Sequence, residues 1–258
     1  MSAPRRVWRH RGAELRRFAD LHLRFPKGGL KELEDMLRLA SDLGYSLVAV
    51  SFSPSRMEEM KQAKALCSDL GLDLATRVDL EPKNPGGLLR NLRRLRRRFE
   101  VIAVRCLRKD VARQAAKDRR VDLLNFPTDP VRRERLRFDH PEAVLASGAL
   151  SALELNASTI LRARGSQRAR LLATMRGEVE EARRMEVPLI FSSGAESPYG
   201  LRAPRDLASL LTLLDVEWEK ALDTVSERPL SIVERNRERL REGFISPGVR
   251  VIRREGEE

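Results

Sequence analysis

Asp20, Leu21 and His22 place a carboxylate and an imidazole two residues apart in an alternating apolar segment, residues 18–25. Residues two apart on a strand point the same way, so this pair could reach one metal ion or one substrate. The position two after His22 is Arg24, a cation that ligates no metal, and the chain has three histidines, His10, His22 and His140. Asp79, Glu81, Asp122, Glu154 and Glu196 stand near the ends of apolar runs. Carboxylates so placed can serve as acid, base or metal ligand, or can pair with arginines. Pairing is the simpler expectation in a chain with 50 Lys and Arg against 38 Asp and Glu. Ser193 is not in a GxSxG elbow, and Pro85-Gly86-Gly87 lacks the spacing and the lysine of a phosphate loop. We therefore expect no catalytic residue and no metal ligand set in this chain.

The cations carry more information. Residues 90–98 hold six arginines in nine positions. Leu88, Leu92, Leu95 and Phe99 recur at helical spacing, leaving Arg90, Arg94 and Arg97 mostly off the apolar stripe. Further cations follow successive apolar runs: Arg113, Arg132, Arg168, then Arg202 and Arg205, with Ser192 and Ser193 beside the last pair. If those runs are the strands of a barrel, the cations converge on one rim. A net charge of +12 favours a polyanionic partner. Aromatic residues make up only 5% of the chain, which argues against base-stacking platforms and for contacts to RNA backbone and shape. Guanidinium groups suit phosphate by bidentate bonds, and serine hydroxyls could add to them.

These side chains must be positioned by a repeating strand, loop and helix. Residues 187–191 read as a buried strand, 192–200 as a polar loop, and Pro204 starts a helix with leucines at 207, 210, 211 and 214. The same alternation runs through the chain. Strands are expected over 18–25, 47–52, 72–80, 101–107, 121–126 and 152–156, with a further short strand at 136–138 and one long helix over 160–185. This pattern predicts an α/β fold, a single TIM-like (β/α) barrel over 18–242 with C-terminal helices, or failing that a doubly wound open sheet. Residues 1–17 read as a basic N-terminal arm and 243–258 as a charged tail. The basic start lacks the apolar core of a secretory signal, no run is long enough to span a membrane, and Cys67 and Cys106 lack any metal or redox motif. A cytoplasmic protein with no membrane partner is expected.

Two resemblances sharpen this reading. Asp20-Leu21-His22 resembles the first motif of the polymerase-and-histidinol-phosphatase barrels, with Arg24 where that pattern has a second histidine. It implies a metal-free relative of those barrels, or, as the alternative, a stand-alone metal-dependent hydrolase. More of the chain resembles archaeal ribonuclease P protein component 3, related to the eukaryotic thirty-kilodalton subunit of RNase P and RNase MRP. The segments are 112–116 leading to Val121-Asp122-Leu123-Leu124-Asn125-Phe126-Pro127, Phe138-Asp139, Ala152-Leu153-Glu154-Leu155-Asn156, 168–172, Ser192-Ser193-Gly194-Ala195 with 201–207, and 236–248. The resemblance implies a subunit of an endoribonuclease whose RNA carries catalysis and holds Mg²⁺, with no cofactor on the protein. It implies binding to ribonuclease P RNA, component 2 and the other protein subunits, with precursor tRNA as the holoenzyme's substrate. By motif it assigns RNA contact to Arg113, Arg202, Arg205 and Arg168; Arg132, Ser192, Ser193, Arg90, Arg94 and Arg97 are added from charge and position.

Overall fold

The computed structural model describes residues 16–246 and 249–250. Most of the expected basic arm, and the tail at 247–248 and 251–258, lie outside the described residues. Seven parallel strands, β1 (Ala19–Arg24), β2 (Leu47–Ser51), β3 (Asp73–Leu80), β4 (Val101–Arg105), β5 (Leu123–Asn125), β6 (Ala152–Asn156) and β7 (Leu189–Ser192), pair in chain order. The intervening helices are α1 (Gly29–Asp42), α2 (Met57–Asp69), α3 (Pro85–Leu95), α4 (Lys109–Ala116), α5 (Pro130–Leu136), α6 (His140–Ser147), α7 (Ala157–Arg162) and α8 (Gly165–Arg184). After β7 come α9 (Pro204–Thr212), α10 (Trp218–Asp223) and α11 (Glu227–Leu240), then β8 (Phe244–Ser246) and β9 (Val249–Arg250), which pair antiparallel.

The seven strands form a nearly closed TIM-like barrel. Its seam is bridged at the top by the Arg24 N–H, which donates to Ala195 O at 2.8 Å. Lower down, the Thr224 and Val225 carbonyls between α10 and α11 accept from Phe191 N and Ala19 N. These contacts satisfy edge groups that a missing eighth strand would otherwise leave open.

Two expectations fail here. Residues 136–138 form no strand: Leu136 ends α5, and the Asp139 carboxylate caps α6 by accepting from Glu142 N. Phe138 is instead an anchor, edge-on to Phe126 at 5.8 Å between ring centres. The helix expected over 160–185 is broken between α7 and α8, where Ala163 and Arg164 are extended and Gly165 takes φ +51°. Glycine adopts that conformation without the Cβ penalty, and apolar periodicity gives no warning of it.

The interior is layered, because alternate residues of each strand face inward. The lower layer is small and apolar: Ala49, Ala75, Ala103 and Ala152 join Leu21, Leu123 and Ile190. Helix α11 plugs the floor with Leu230, Ile232 and Val233. It is fixed there by Asn236 Nδ2, which donates to Glu100 O and Asp122 Oδ1, both at 2.8 Å. The layer above is polar, and it begins at Arg77.

Candidate nucleic-acid interface and barrel mouth

Arg77 lies on β3, fully buried, with its guanidinium in the middle of the barrel. Its two terminal nitrogens form a fork on Glu154, at 2.5 and 2.7 Å, and Nη2 also donates to Asp79 Oδ1 at 2.7 Å. Nη1 donates besides to Leu21 O at 2.7 Å. Ser192 donates to Glu154 at 3.0 Å, Asn125 Nδ2 donates to it at 2.8 Å, and Ser51 donates to Asp79. His22 Nδ1 lies 2.9 Å from Asn156 Oδ1, a contact that requires the proton on Nδ1.

The electrostatics follow from this geometry. Burial, the largest single effect, favours the neutral forms of Asp79 and Glu154, but the Arg77 charge, the neighbouring His22 and the hydrogen bonds from Arg77 together outweigh it and hold both below the usual carboxylate range. Burial and then Arg77 depress His22, overriding the opposite pull of Asp79 and Glu154, so the ring is neutral at physiological pH. Asp20 goes the other way: burial raises it, against hydrogen bonds from Ser193 and the His22 N–H. The register of β1 on β2 slips between Asp20 and Leu23. Asp20 Oδ1 accepts from the His22 and Ser193 backbone N–H groups, Oδ2 is buried without a hydrogen-bond partner, and the His22 ring turns to Asn156, so the two do not form a shared ligand set. Among the described residues no group of three His, Cys, Asp or Glu is placed to hold a metal ion.

The five carboxylates singled out from sequence all pair with arginine. Asp79 and Glu154 take Arg77, Glu81 takes Arg105 at 2.6 Å, Asp122 takes Arg96 at 2.6 Å, and Glu196 takes Arg24 and Arg162 at 2.5 and 2.7 Å. They do not converge on one end of the barrel. Asp122 precedes β5 and lies at the floor, where it accepts from Ile102 N and Asn236.

The cations proposed to face RNA divide into three groups. Arg113, Arg132, Arg205, Arg90, Arg94 and Arg97 are exposed and make no side-chain hydrogen bond or ion pair among the described residues. Arg168 and Arg202 are exposed but partly engaged. Arg168 Nε donates to Ala163 O at 2.7 Å across the α7–α8 break, and Arg202 Nη1 donates to Tyr199 O and Leu201 O at 2.9 and 2.6 Å. Ser192 and Ser193 are a correction. Both are fully buried, with Ser192 Oγ bound to Glu154 and Ser193 Oγ within 3.1 Å of the Ala195 N–H. Their hydroxyls serve the barrel interior and present nothing to a strand of RNA.

Convergence on a single rim is also only partial. In a βα unit each helix starts at the carboxyl ends of the strands and runs back to the opposite end. Arg132, Arg168, Arg202 and Arg205 lie in first turns or in the loop after β7, and Arg113 one turn into α4, so they ring the mouth. Arg94 and Arg97 lie at the far end of α3, near the floor. Arg96 of the same run is structural, donating to Phe99 O, Glu100 O, Arg120 O and Asp122.

Reading from sequence missed Arg77, although an arginine two residues before Asp79 on a buried strand was the available signal. It also missed the mouth itself, a cavity of about 440 Å³ with Arg24, Lys27, Arg56 and Arg105 on its walls. Those side chains come from separate loops and strand ends, so no local motif marks them.

Comparison with known proteins decides the family. The family model for RNase P subunit p30 matches residues 17–241. The chain belongs to that family. Ribonuclease P protein component 3 of Methanosarcina mazei is 29% identical over 247 residues, covering 93% of this chain and 97% of the relative. The protein of the same name from Methanococcoides burtonii is 27% identical, covering 92% and 95%. A chain of archaeal ribonuclease P, determined by electron cryo-microscopy with mature tRNA, superposes with a TM-score of 0.78 at 27% identity, over 93% of this chain and 100% of that one. A probable 2-pyrone-4,6-dicarboxylic acid hydrolase from Acinetobacter baumannii, at 10% identity and a TM-score of 0.56, shares the barrel fold alone. Among the described residues no helix is long and apolar enough to cross a membrane.

Proposed function

We propose that this RNase P p30-family chain binds and stabilises the catalytic RNA of ribonuclease P for 5′ maturation of precursor tRNA, and that it is not itself the catalyst. In this reading it acts in the cytoplasm, pairs with component 2 and works among the other protein subunits. It holds no metal, and Mg²⁺ is held by the RNA. The observation that carries the proposal is the likeness to a chain of archaeal ribonuclease P along the whole of that chain. The surface chemistry supports it: exposed unpaired arginines on a +12 chain can neutralise crowded phosphates and favour a compact RNA fold. Arg113, Arg132 and Arg205 are the principal phosphate contacts, with Arg90, Arg94 and Arg97 forming a second surface along α3; Arg202 and Arg168 combine RNA contact with holding their own loops. The alternative of a metal-dependent hydrolase is disfavoured by Arg77, a resident cation that already occupies Asp79 and Glu154.

The test is precursor-tRNA cleavage by the reconstituted RNA at low Mg²⁺, with and without this chain and component 2. Cleavage dependent on the RNA, with the two proteins lowering the Mg²⁺ required, is the expected result. Cleavage by the chain without RNA would refute the proposal.

A further inference from the structure

The cavity at the barrel mouth is not explained by a surface that only follows RNA backbone. It is bounded by the loop after β1, with Phe25 and Lys27, the loop after β2, with Ser53 and Arg56, and the upper ends of β1 to β5. Four cations line it, Arg24, Lys27, Arg56 and Arg105. The one carboxylate in its wall, Asp79, is already committed to Arg77. Arg24, Arg56 and Arg105 each engage an outer carboxylate, Glu196, Glu59 and Glu81, through Nη1 alone, leaving further N–H groups unused. Lys27 makes no ion pair or hydrogen bond among the described residues. The cavity thus keeps one unpaired cation, Lys27, and spare N–H donors on three paired guanidinium groups, donors that an anionic ligand can engage.

The rest of the cavity is not built for a bare anion. The Arg56 guanidinium lies 4.4 Å from the centre of the Phe25 ring, presenting a flat, delocalised cation at the wall. Deeper in are neutral groups with capacity left beyond their bonds to Asp79 and Glu154: Ser51 Oγ as an acceptor, the Asn125 amide, and His22 Nε2 as an acceptor beside the Asp79 carboxylate at 3.6 Å. Phosphate needs the cations; a planar base with hydrogen-bonding edges needs the guanidinium plane and the polar floor. A volume of about 440 Å³ is within the range of small-ligand sites.

We propose that the barrel mouth is a nucleotide pocket, which takes one unstacked nucleotide of an RNA strand with its phosphate on Arg24, Lys27, Arg56 and Arg105 and its base against Arg56 over the floor of Ser51, Asn125 and His22. The RNA-strand form rests on the RNA-subunit reading above; the nucleotide chemistry of the pocket does not. It assigns the mouth a recognition role separate from the phosphate contacts of Arg113, Arg132 and Arg205.

Two experiments test it. In the first, the full chain is titrated with AMP, GMP, CMP and UMP, and separately with inorganic phosphate, by calorimetry. At least one nucleotide should bind about tenfold or more tighter than phosphate, the size of one stacking contact. Lys27→Ala combined with Arg56→Ala should abolish that preference with the circular dichroism spectrum unchanged, whereas Arg183→Ala, which removes one charge from the exposed end of α8, should not. Equal affinity for phosphate and nucleotides, or binding indifferent to the paired substitution, would overturn the pocket. In the second, ribonuclease P RNA carrying 4-thiouridine is assembled with the proteins and irradiated. Crosslinks to residues 25–29 or 53–56 are expected, and their loss in the Lys27→Ala, Arg56→Ala variant. Nucleotide binding without such crosslinks in a complex that cleaves normally would overturn the RNA-strand form and give the site to a free nucleotide. A complex that never assembles would count against the subunit reading, with the calorimetry still deciding the pocket.

Discussion

Arg77 makes a buried cation the organising centre of a barrel whose fold is shared with hydrolases. Its fork on Glu154 and its bonds to Asp79 satisfy three charges that would be costly to bury singly. Removing it strands two carboxylates in the interior. Arg77→Ala should therefore lose about 3–5 kcal/mol of stability, measured as the urea midpoint at constant m-value. A loss below about 1 kcal/mol would mean that water or solute cations replace the guanidinium easily. A second single-residue constraint lies in the Ser192-Ser193-Gly194-Ala195 segment. Gly194 has φ +63°, and a Cβ there would meet Ser158 Oγ at 2.5 Å and Asn156 Cβ at 3.0 Å. Gly194→Ala should cost about 2 kcal/mol or more, from left-handed strain and the clash together, and lower the melting temperature accordingly. The loop's resemblance to its family thus has a packing cause besides any RNA contact.

Among the elements, α6 shows how a cap can make stability depend on pH. Asp139 caps the helix and Glu142 reaches back to the Asp139 N–H at 3.0 Å, while Lys109 donates to both carboxylates at 2.8 Å. Burial, and then the hydrogen bond with Asp139, push Glu142 up to about 7, against the pull of Lys109. Burial alone would raise Asp139, but the hydrogen bonds from Glu142 and Lys109 bring it down to about 2. A raised carboxyl binds its proton more tightly in the folded state. Its contribution is complete below the unfolded value near 4.5 and is lost as pH rises to about 7, with a slope of up to about 1.4 kcal/mol per pH unit. Glu142→Gln should flatten that fall in chemical denaturation between pH 5 and pH 8. An unchanged pH profile would show that Lys109 keeps Glu142 ionised throughout. At the opposite end, α11 closes the floor through Asn236, Arg235 and Arg237, which engage Asp122, Glu100 and Asp73. Arg235 and Arg237 of the last helix are thereby committed to the fold, unlike the arginines of α3.

For the whole molecule, the question is how a +12 charge is spent. Many arginines are paired with carboxylates inside the fold, and such pairs already cancel in the net charge, so it is the total of 50 Lys and Arg that overstates the number of groups available to RNA. The exposed and unpaired set is the relevant count. Each phosphate contact removed should reduce the slope of log K against log salt by about 0.7–0.9. Arg113→Ala and Arg205→Ala should each reduce the slope for the cognate RNA by about that amount without changing the melting temperature, and raise the Mg²⁺ needed for reconstituted cleavage. Arg96→Ala should behave oppositely: its guanidinium holds Asp122 and three carbonyls, so stability falls first. Equal salt slopes for the Arg113, Arg205 and Arg96 variants would remove the distinction.

The sequence by itself determined the βα alternation, the apolar strands at β1 to β7 and the resemblance of 112–127 and 192–207 to a ribonuclease P subunit. Strand and helix periodicities are local, and a motif is contiguous, so both survive in one dimension. It did not show the break at Gly165, where one residue's backbone conformation overrides a continuing apolar period, nor the loss of the strand at 136–138 to a helix cap. Tertiary structure decided which charges are free. Ser192, Ser193 and the run holding Arg96 read as polar residues available for contact, and Arg77 was missed, yet their partners lie up to 173 residues away and are chosen by barrel closure. The mouth cavity is set by the same closure: Lys27, Arg56 and Arg105 are distant in sequence and meet only because successive parallel strands bring their carboxyl ends to one rim.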